Sequence, residues 1–359
     1  MPLALDPLDH DTLVGWLREP DPVALERLWQ RADVVRAEHV GDAVHLRGLI
    51  EVSNHCVRYC LYCGIRACSP GITRYRMTAD EILACAREAR RLGYGTVVLQ
   101  SGEDPELTRE FVEDVVRAIK VETGLAVTLS VGERSDGDLM AWKQAGADRF
   151  LLRFETSDPD LYRRIHPSLP GTLSDRVAQL LRMREMGYEI GSGVMVGVPG
   201  QTYDILARDI ELFRDLDIDM IGIGPFLPSP RTPLGGEAAA RLCAPDGDQV
   251  ANSESMTLKA VALTRLVCPE ANLPSTTALA TIDPATGREL GLVRGANIVM
   301  PNVTPPAYRV LYEIYPGKAC IHETAQACRG CLEGRIRSIG RVVGSGPGGR
   351  RRSAAVLPS

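Results

Sequence analysis

Nowhere in the 359 residues does an apolar run approach the eighteen or so that a membrane span needs, so no transmembrane helix is expected. Also missing is a basic segment leading into an apolar stretch: the opening MPLALDPLDHDTLVGWLREPD carries acids early, unlike a secretory leader. Charge of one sign is not in excess. With 41 basic and 46 acidic residues the balance is −5, which offers no global attraction to nucleic acid or to a membrane surface. Histidine is scarce, and the six present show no metal-ligand spacing. Disulfides are not expected in the cytoplasm, the compartment that a chain without an export signal implies. There, ten cysteines, several of them clustered, point to metal or redox chemistry.

Hydrophobic content of 45% and charged content of 24% are those of a globular protein. Residues 1–44 have helical patterning without a repeated strand signal and form an expected N-terminal helical segment. From His45 onward, short apolar or β-branched runs alternate with longer amphipathic stretches. The strand candidates are HLRGLIEV (45–52), TVVLQSG (96–102), AVTLSVG (126–132), RFLLRFE (149–155), GSGVMVGV (191–198), MIGIGPF (220–226), LPSTTAL (273–279) and NIVMPNV (297–303). Between the first two, Ile82, Cys85, Ala86, Ala89 and Leu92 repeat at helical spacing, and Thr78 with Glu81 predicts a capping box. Eight such units predict an α/β fold of the (β/α)8 TIM-type barrel class over residues 45–305, with chemistry at the C-terminal strand ends. A C-terminal extension over 306–340 and a flexible Gly- and Arg-rich tail over 341–359 complete the expected organisation. The stretch 231–255, which contains Cys243, is expected to be a surface insertion.

Polar signals gather after the predicted strands. Cys56, Cys60 and Cys63 follow the first in the spacing C-x3-C-x2-C, SGED follows the second, GER the third, ET the fourth and PGQT the fifth. Three thiolates can occupy three irons of a [4Fe–4S] cluster and leave the fourth open to another ligand. Structural zinc is the alternative, because a C-x2-C pair recurs at Cys328 and Cys331. Each pair nevertheless has a third cysteine that a shared zinc would leave unused, Cys320 in the second case. Cys85 and Cys268 fit buried packing, and Cys68, though close to the loop, is not needed as a ligand.

The cysteine loop, with RYRMT (74–78), VLQSGED (98–104), AGADRFLLRFET (145–156), MVGVPGQT (195–202), VALTRL (261–266), GANIVMPNVTP (295–305) and YRVLYEIYPGKAC (308–320), resembles the radical S-adenosylmethionine (SAM) superfamily, and within it the HydE class of [FeFe]-hydrogenase maturases, part of the biotin synthase-like group. The resemblance implies a [4Fe–4S] cluster on Cys56, Cys60 and Cys63 whose open iron chelates SAM, with an external electron donor. One electron then cleaves SAM to methionine and a 5′-deoxyadenosyl radical. It implies Tyr62 near the adenine, Ser101, Gly102 and Glu103 at the SAM amino group, Glu155 on the ribose or amino group, and Arg176 on the carboxylate. It further implies an auxiliary iron–sulfur cluster, [2Fe–2S] or [4Fe–4S], on Cys320, Cys328 and Cys331, accessory to the basic reaction.

Substrate-facing residues are expected on inner strand ends, deeper than SAM: Gln100, Thr128, Ser130, Arg153, Thr276, Thr277 and Tyr308. Hydroxyls around one arginine suit a small anionic ligand. In the resembled class that ligand is an organometallic iron complex of cysteine, CO and cyanide, and other hydrogenase maturation proteins are expected partners. Sulfur insertion, as in biotin synthase, rearrangement of an amino-acid skeleton, as in methylornithine synthase, and a non-enzymatic iron–sulfur carrier or scaffold remain the alternatives.

Overall fold

The computed structural model describes residues 8–236, 239–245 and 247–350. Two helices come first, α1 (His10–Arg18) and α2 (Pro22–Val40), each started by an aspartate whose side chain accepts backbone N–H groups, Asp9 and Asp21. Strand β1 (Ala43–Ser53) then opens an alternation of α3 (Ala79–Arg91), β2 (Thr96–Ser101), α4 (Arg109–Thr123), β3 (Ala126–Ser130), α5 (Asp136–Gln144) and β4 (Arg149–Leu151). Next come α6 (Pro159–Ile165), α7 (Arg176–Glu185), β5 (Glu189–Val196), α8 (Tyr203–Asp215), β6 (Met220–Pro225) and α9 (Glu254–Val267). The chain finishes with α10 (Thr277–Ile282), α11 (Gly287–Val293), β7 (Ile298–Val299), α12 (Pro306–Arg309), α13 (Ala325–Ser338) and β8 (Val342–Val343).

Parallel pairing runs in the order β6-β5-β4-β3-β2-β1-β7, so β1 sits between β2 and β7. Its residues are buried almost throughout, as a sheet covered by helices on one side and closed on itself on the other requires. The remaining position in the ring falls to Asn272–Ser275, where LPSTTAL predicts a full strand. This segment touches both neighbours through single bridges, Met220 with Asn272 and Pro274 with Ile298. Ile221 N donates to Asn272 O at 2.9 Å and Ser275 N to Ile298 O at 2.9 Å. Pro274 has no N–H to extend a ladder. Thr276 then turns the chain by N-capping α10, so Thr276 and Thr277 stand at a helix start rather than inside a strand.

The periodicity of α3 is realised as read. Ile82, Cys85, Ala86 and Ala89 are buried, and Thr78 and Glu81 form the reciprocal capping box, Glu81 N to Thr78 Oγ1 at 3.3 Å and Thr78 N to Glu81 Oε2 at 2.8 Å. No helix among the described residues is long and apolar enough to cross a membrane.

Residues 341–350, read from the sequence as the start of a flexible tail, lie against the barrel; 351–359 lie outside the described residues. After β8 pairs with the start of β1, residues 344–350 cross the N-terminal face of the barrel. Gly348 O accepts from Arg47 Nη2 at 2.8 Å and Asn272 Nδ2 at 3.2 Å, and Pro347 O accepts from Thr96 Oγ1 at 2.8 Å. The glycines serve close approach: a Cβ on Gly95 would lie 1.8 Å from Gly346 O. Arg350 reaches Asp217 Oδ1 at 2.5 Å. Backbone carbonyls do the holding, which a low-hydrophobicity sequence conceals. Ending the chain after Val343 strips acceptors from three side chains at the barrel floor, at about 1–3 kcal/mol for each one left buried and unpaired. The melting temperature followed by circular dichroism is expected to fall by several degrees; an unchanged transition would refute a structural role for the strap.

Candidate active site

A cavity of ≈ 360 Å³ opens at the C-terminal ends of the strands. Cys56, Cys60 and Cys63 line it, carried by the loop that leaves β1. Asn54 braces that loop, donating from Nδ2 to Thr73 O at 2.8 Å and Leu311 O at 2.7 Å while its Oδ1 accepts from Tyr75 N at 2.8 Å. Arg74 clamps the other side, donating to Ile65 O at 2.7 Å and Arg66 O at 2.6 Å. Gly64 permits a close approach, but to the C-terminal extension: its N–H donates to Ile314 O at 2.8 Å, and a Cβ there would lie 2.2 Å from Glu313 O. The stretch read as a surface insertion also reaches the mouth. Leu234 is buried, its N–H donating to Leu61 O at 3.1 Å, and Arg231 pairs with Glu313 at 3.2 Å. Cys243 and Cys68 are exposed, whereas Cys85 and Cys268 are buried.

Beside the thiols, Ser101, Gly102 and Glu103 follow β2, and Tyr62, Glu155 and Arg176 also line the cavity. The Glu103 carboxylate is already engaged, by Arg58 Nε at 2.8 Å and by Glu133 N at 3.0 Å. Glu133 in turn joins Arg58, at 3.0 Å, to Arg176, at 2.9 Å. Arg176 also donates to Arg153 O at 2.7 Å and to His166 Nε2 at 2.6 Å. Burial, reinforced by the Arg176 and Arg58 charges, holds His166 neutral, its pKa pulled down to about 2. Its Nε2 therefore accepts, and the ring proton sits on Nδ1. Glu155 has a left-handed backbone, φ 65°, a conformation that costs a non-glycine residue about 1–3 kcal/mol. Its Oε2 lies 3.3 Å from Arg153 Nε, close enough for attraction yet not aligned as a hydrogen bond.

A carboxylic acid deeper in the fold supports this turn. Asp209, on α8, accepts from Ser157 N at 2.5 Å and Gln201 Nε2 at 3.2 Å, and Gln201 also donates to the carbonyl of cavity-lining Met195 at 3.0 Å. Burial raises the Asp209 pKa from 3.8 to about 7. Between those values the folded protein keeps a proton that the unfolded chain releases, so this residue lowers stability as pH rises from about 4 to 7, by roughly 4 kcal/mol at most. Asp209→Asn is expected to flatten that part of the stability–pH curve in urea titrations. An unchanged slope would show that Asp209 ionises normally.

Of the expected substrate-facing residues, Gln100, Ser130, Arg153, Thr276 and Thr277 line the cavity. Two do not. Thr128 is fully buried on β3, two residues before Ser130 and thus one inward-facing position deeper in the barrel. Tyr308 faces away: its OH donates to Glu81 Oε1 at 2.7 Å and its ring stacks on Tyr75 with centroids 4.7 Å apart. The short helix α12 turns Tyr308 outward, and Tyr312, four residues on, enters the cavity in its place and accepts from Gln100 Nε2 at 3.3 Å. Sequence reasoning also passed over Arg58, Glu51, Tyr315 and Lys318, which line the cavity, and Glu133 behind it. Each but Glu51 lies in a motif singled out above, Arg58 in the cysteine loop, Glu133 in the GER after the third strand, and Tyr315 and Lys318 in the 308–320 motif, yet without a role assigned to it.

The second trio lies in the C-terminal extension. Cys328 is buried and hydrogen-bonded to Cys320, and with Arg288 it draws the Cys320 thiol below the ordinary thiol range. Cys331 is exposed beside Arg335. Among the described residues no three His, Cys, Asp or Glu side chains converge as one metal ion would require. A [4Fe–4S] cube takes one thiolate on each of three irons, and Cys56, Cys60 and Cys63, which line one chamber from a single loop, are the donors such a cube would use. Glu155 Oε2, which accepts no hydrogen bond from the described residues although it lies near Arg153, and Arg58 Nη1, which donates none, supply one acceptor and one donor for a zwitterionic ligand.

Comparison with known proteins agrees with this donor set. The sequence model of the radical SAM superfamily matches residues 50–224. The chain is 47% identical over 327 residues, 91% of its length and 89% of the relative's, to the [FeFe] hydrogenase maturase subunit HydE of Thermotoga maritima. It is 31% identical over 297 residues to the 3-methylornithine synthase of Methanosarcina acetivorans, covering 81% of this chain and 79% of that one. A crystal structure of methylornithine synthase superposes with a TM-score of 0.76 at 26% identity, over 94% of each chain.

Proposed function

Since the chain belongs to the radical SAM superfamily, and within it to the HydE-type maturases, we propose that it is a SAM-cleaving enzyme of [FeFe]-hydrogenase assembly acting on a small iron–cysteine–CO–cyanide complex. The observation that carries this reading is one chamber with three thiols and a SAM-sized set of polar groups at its mouth and a second polar layer beneath. When bound, the reduced cluster supplies one electron to the SAM sulfonium, which yields methionine and a 5′-deoxyadenosyl radical.

The chain's own contribution is placement. Cys56, Cys60 and Cys63 hold the cluster, with Arg58 tying its loop to Glu103 and Glu133. Arg176, fixed by Glu133 and a neutral His166, presents its cationic edge to the SAM carboxylate. Glu155 offers the ribose or amino group a carboxylate oxygen that accepts no hydrogen bond from the described residues, and Tyr62 flanks the adenine. Below them Gln100, Ser130, Arg153, Thr276 and Thr277 face the substrate. Tight packing of Leu234 against the cysteine loop restricts water at the mouth.

Cys320, Cys328 and Cys331 hold an auxiliary cluster that the basic reaction does not require. Cys328→Ala is therefore expected to leave 5′-deoxyadenosine formation within about twofold of the parent, a change below 0.5 kcal/mol. Complete loss would show that the second site belongs to the reaction.

The test of function is anaerobic incubation of reconstituted protein with SAM, a strong reductant and the iron–cysteine–CO–cyanide complex, followed by mass spectrometry and electron paramagnetic resonance. An adenosylated iron–sulfur species that depends on the complex is expected. Plain 5′-deoxyadenosine, unaffected by the complex, would retire the maturase reading and retain SAM cleavage.

A further inference from the structure

One charged pair on the chamber wall has no part in holding the cluster or SAM. Lys318, in the C-terminal extension, extends its ammonium to Glu51 on β1, and both line the cavity while being 8% and 1% exposed. Glu51 is fixed on every side: Asn302 Nδ2 donates to its Oε2 at 2.9 Å, its N–H donates to Thr304 Oγ1 at 2.8 Å, and its carbonyl accepts from Tyr75 OH at 2.7 Å. Lys318 has only a second, long contact, to Tyr312 O at 3.5 Å, and sits 5.3 Å from the Tyr312 ring centre. An ammonium carries three donors, so one remains for the chamber.

Depth and position suit a substrate contact. Glu51 pairs in register with Gln100, the residue before Ser101, which puts the pair one layer below the SAM motif. Arg153, a second cation in the layer read as facing the substrate, follows β4, three strands round the ring from β1. A buried ion pair gives little net stability over apolar residues of the same size. Stability alone therefore does not account for its place on this wall.

We propose that Lys318 binds an anionic group of the substrate, with Glu51 as the counter-ion that holds its ammonium in place. The chamber then grips a small ligand that is anionic at two separated positions, between Lys318 on one wall and Arg153 on the other. This rests on the reading of the chamber as a substrate site for a small anionic iron complex, and it names the group that recognises the charge.

The test titrates SAM-loaded, cluster-reconstituted protein with three probes: the iron–cysteine–CO–cyanide complex, L-cysteine, and cysteamine, which lacks the carboxylate. Lys318→Met is expected to weaken the complex and L-cysteine at least about tenfold while cysteamine and SAM move less than about twofold. Glu51→Gln, which frees Lys318 from its internal partner, is expected to bind the anionic probes as tightly as the parent or more so. Should Lys318→Met fail to fold around an unpaired Glu51, the double variant Glu51→Gln/Lys318→Met leaves no orphan charge and is expected to show the same tenfold loss. Equal weakening by both single variants, equal loss for cysteamine, or no dependence of any probe on Lys318 would overturn the proposal. If the complex does not bind the parent while L-cysteine shows the Lys318 dependence, the maturase reading falls and the Lys318 site stands.

Discussion

Replacing Cys60 with alanine reduces 5′-deoxyadenosine formation to background, a loss of about 1000-fold or more, equivalent to roughly 4 kcal/mol at the transition state. The reason is one of ligand supply. Cys56, Cys60 and Cys63 are the thiols of the chamber, and the nearby Cys68 is exposed and cannot stand in. Alanine offers no donor, so the cluster is left with two protein ligands and loses its geometry. Iron content and the signal of the reduced cluster should fall together with turnover. Full cleavage by a well-reconstituted Cys60→Ala protein would overturn the assignment of this trio.

Gly102→Ala is expected to be nearly as damaging, though it removes no functional group. A Cβ at 102 would lie 2.2 Å from His55 O and 2.7 Å from Cys56 Cβ. Neither neighbour can yield easily. Gly102 N is held to Ser53 O at 3.2 Å, Val57 N to Glu103 O at 2.9 Å, and Ser53 Oγ to Asp104 at 2.6 Å. The added methyl therefore pushes Cys56 out of place at a cost of about 1–3 kcal/mol. A displacement near 1 Å is enough to lower turnover on the order of 100-fold. Gly334→Ala is the control: nothing lies within 4 Å of its Cβ in α13, and helix propensity predicts a gain of about 1 kcal/mol. Normal SAM cleavage by Gly102→Ala would mean that the cluster loop is not anchored as the geometry indicates.

What could be read from the chain without coordinates follows from local periodicity and spacing. Strands buried on both faces read as apolar runs, α3 shows its face and its cap, and three cysteines at C-x3-C-x2-C need only one loop to meet. Cavity-lining residues at or just past strand ends, such as Gln100, Ser130 and Arg153, are placed by the strands that carry them. The sequence by itself therefore determined the alternation of strands and helices, the cysteine loop and the rim of the chamber.

Tertiary structure decided whatever depends on partners far away in the chain. Lys318 meets Glu51 across 267 residues, and Arg58 reaches Glu103 and Glu133 from inside a loop without periodicity. Tyr308 and Tyr312 are the same residue type four positions apart, and only the turn at α12 sends one to Glu81 and the other to Gln100. Residues 344–350 carry no apolar pattern, because backbone carbonyls accepting from Arg47, Thr96 and Asn272 hold them. Side-chain periodicity reports which face is buried; it says nothing about which distant charge or carbonyl a buried donor will find.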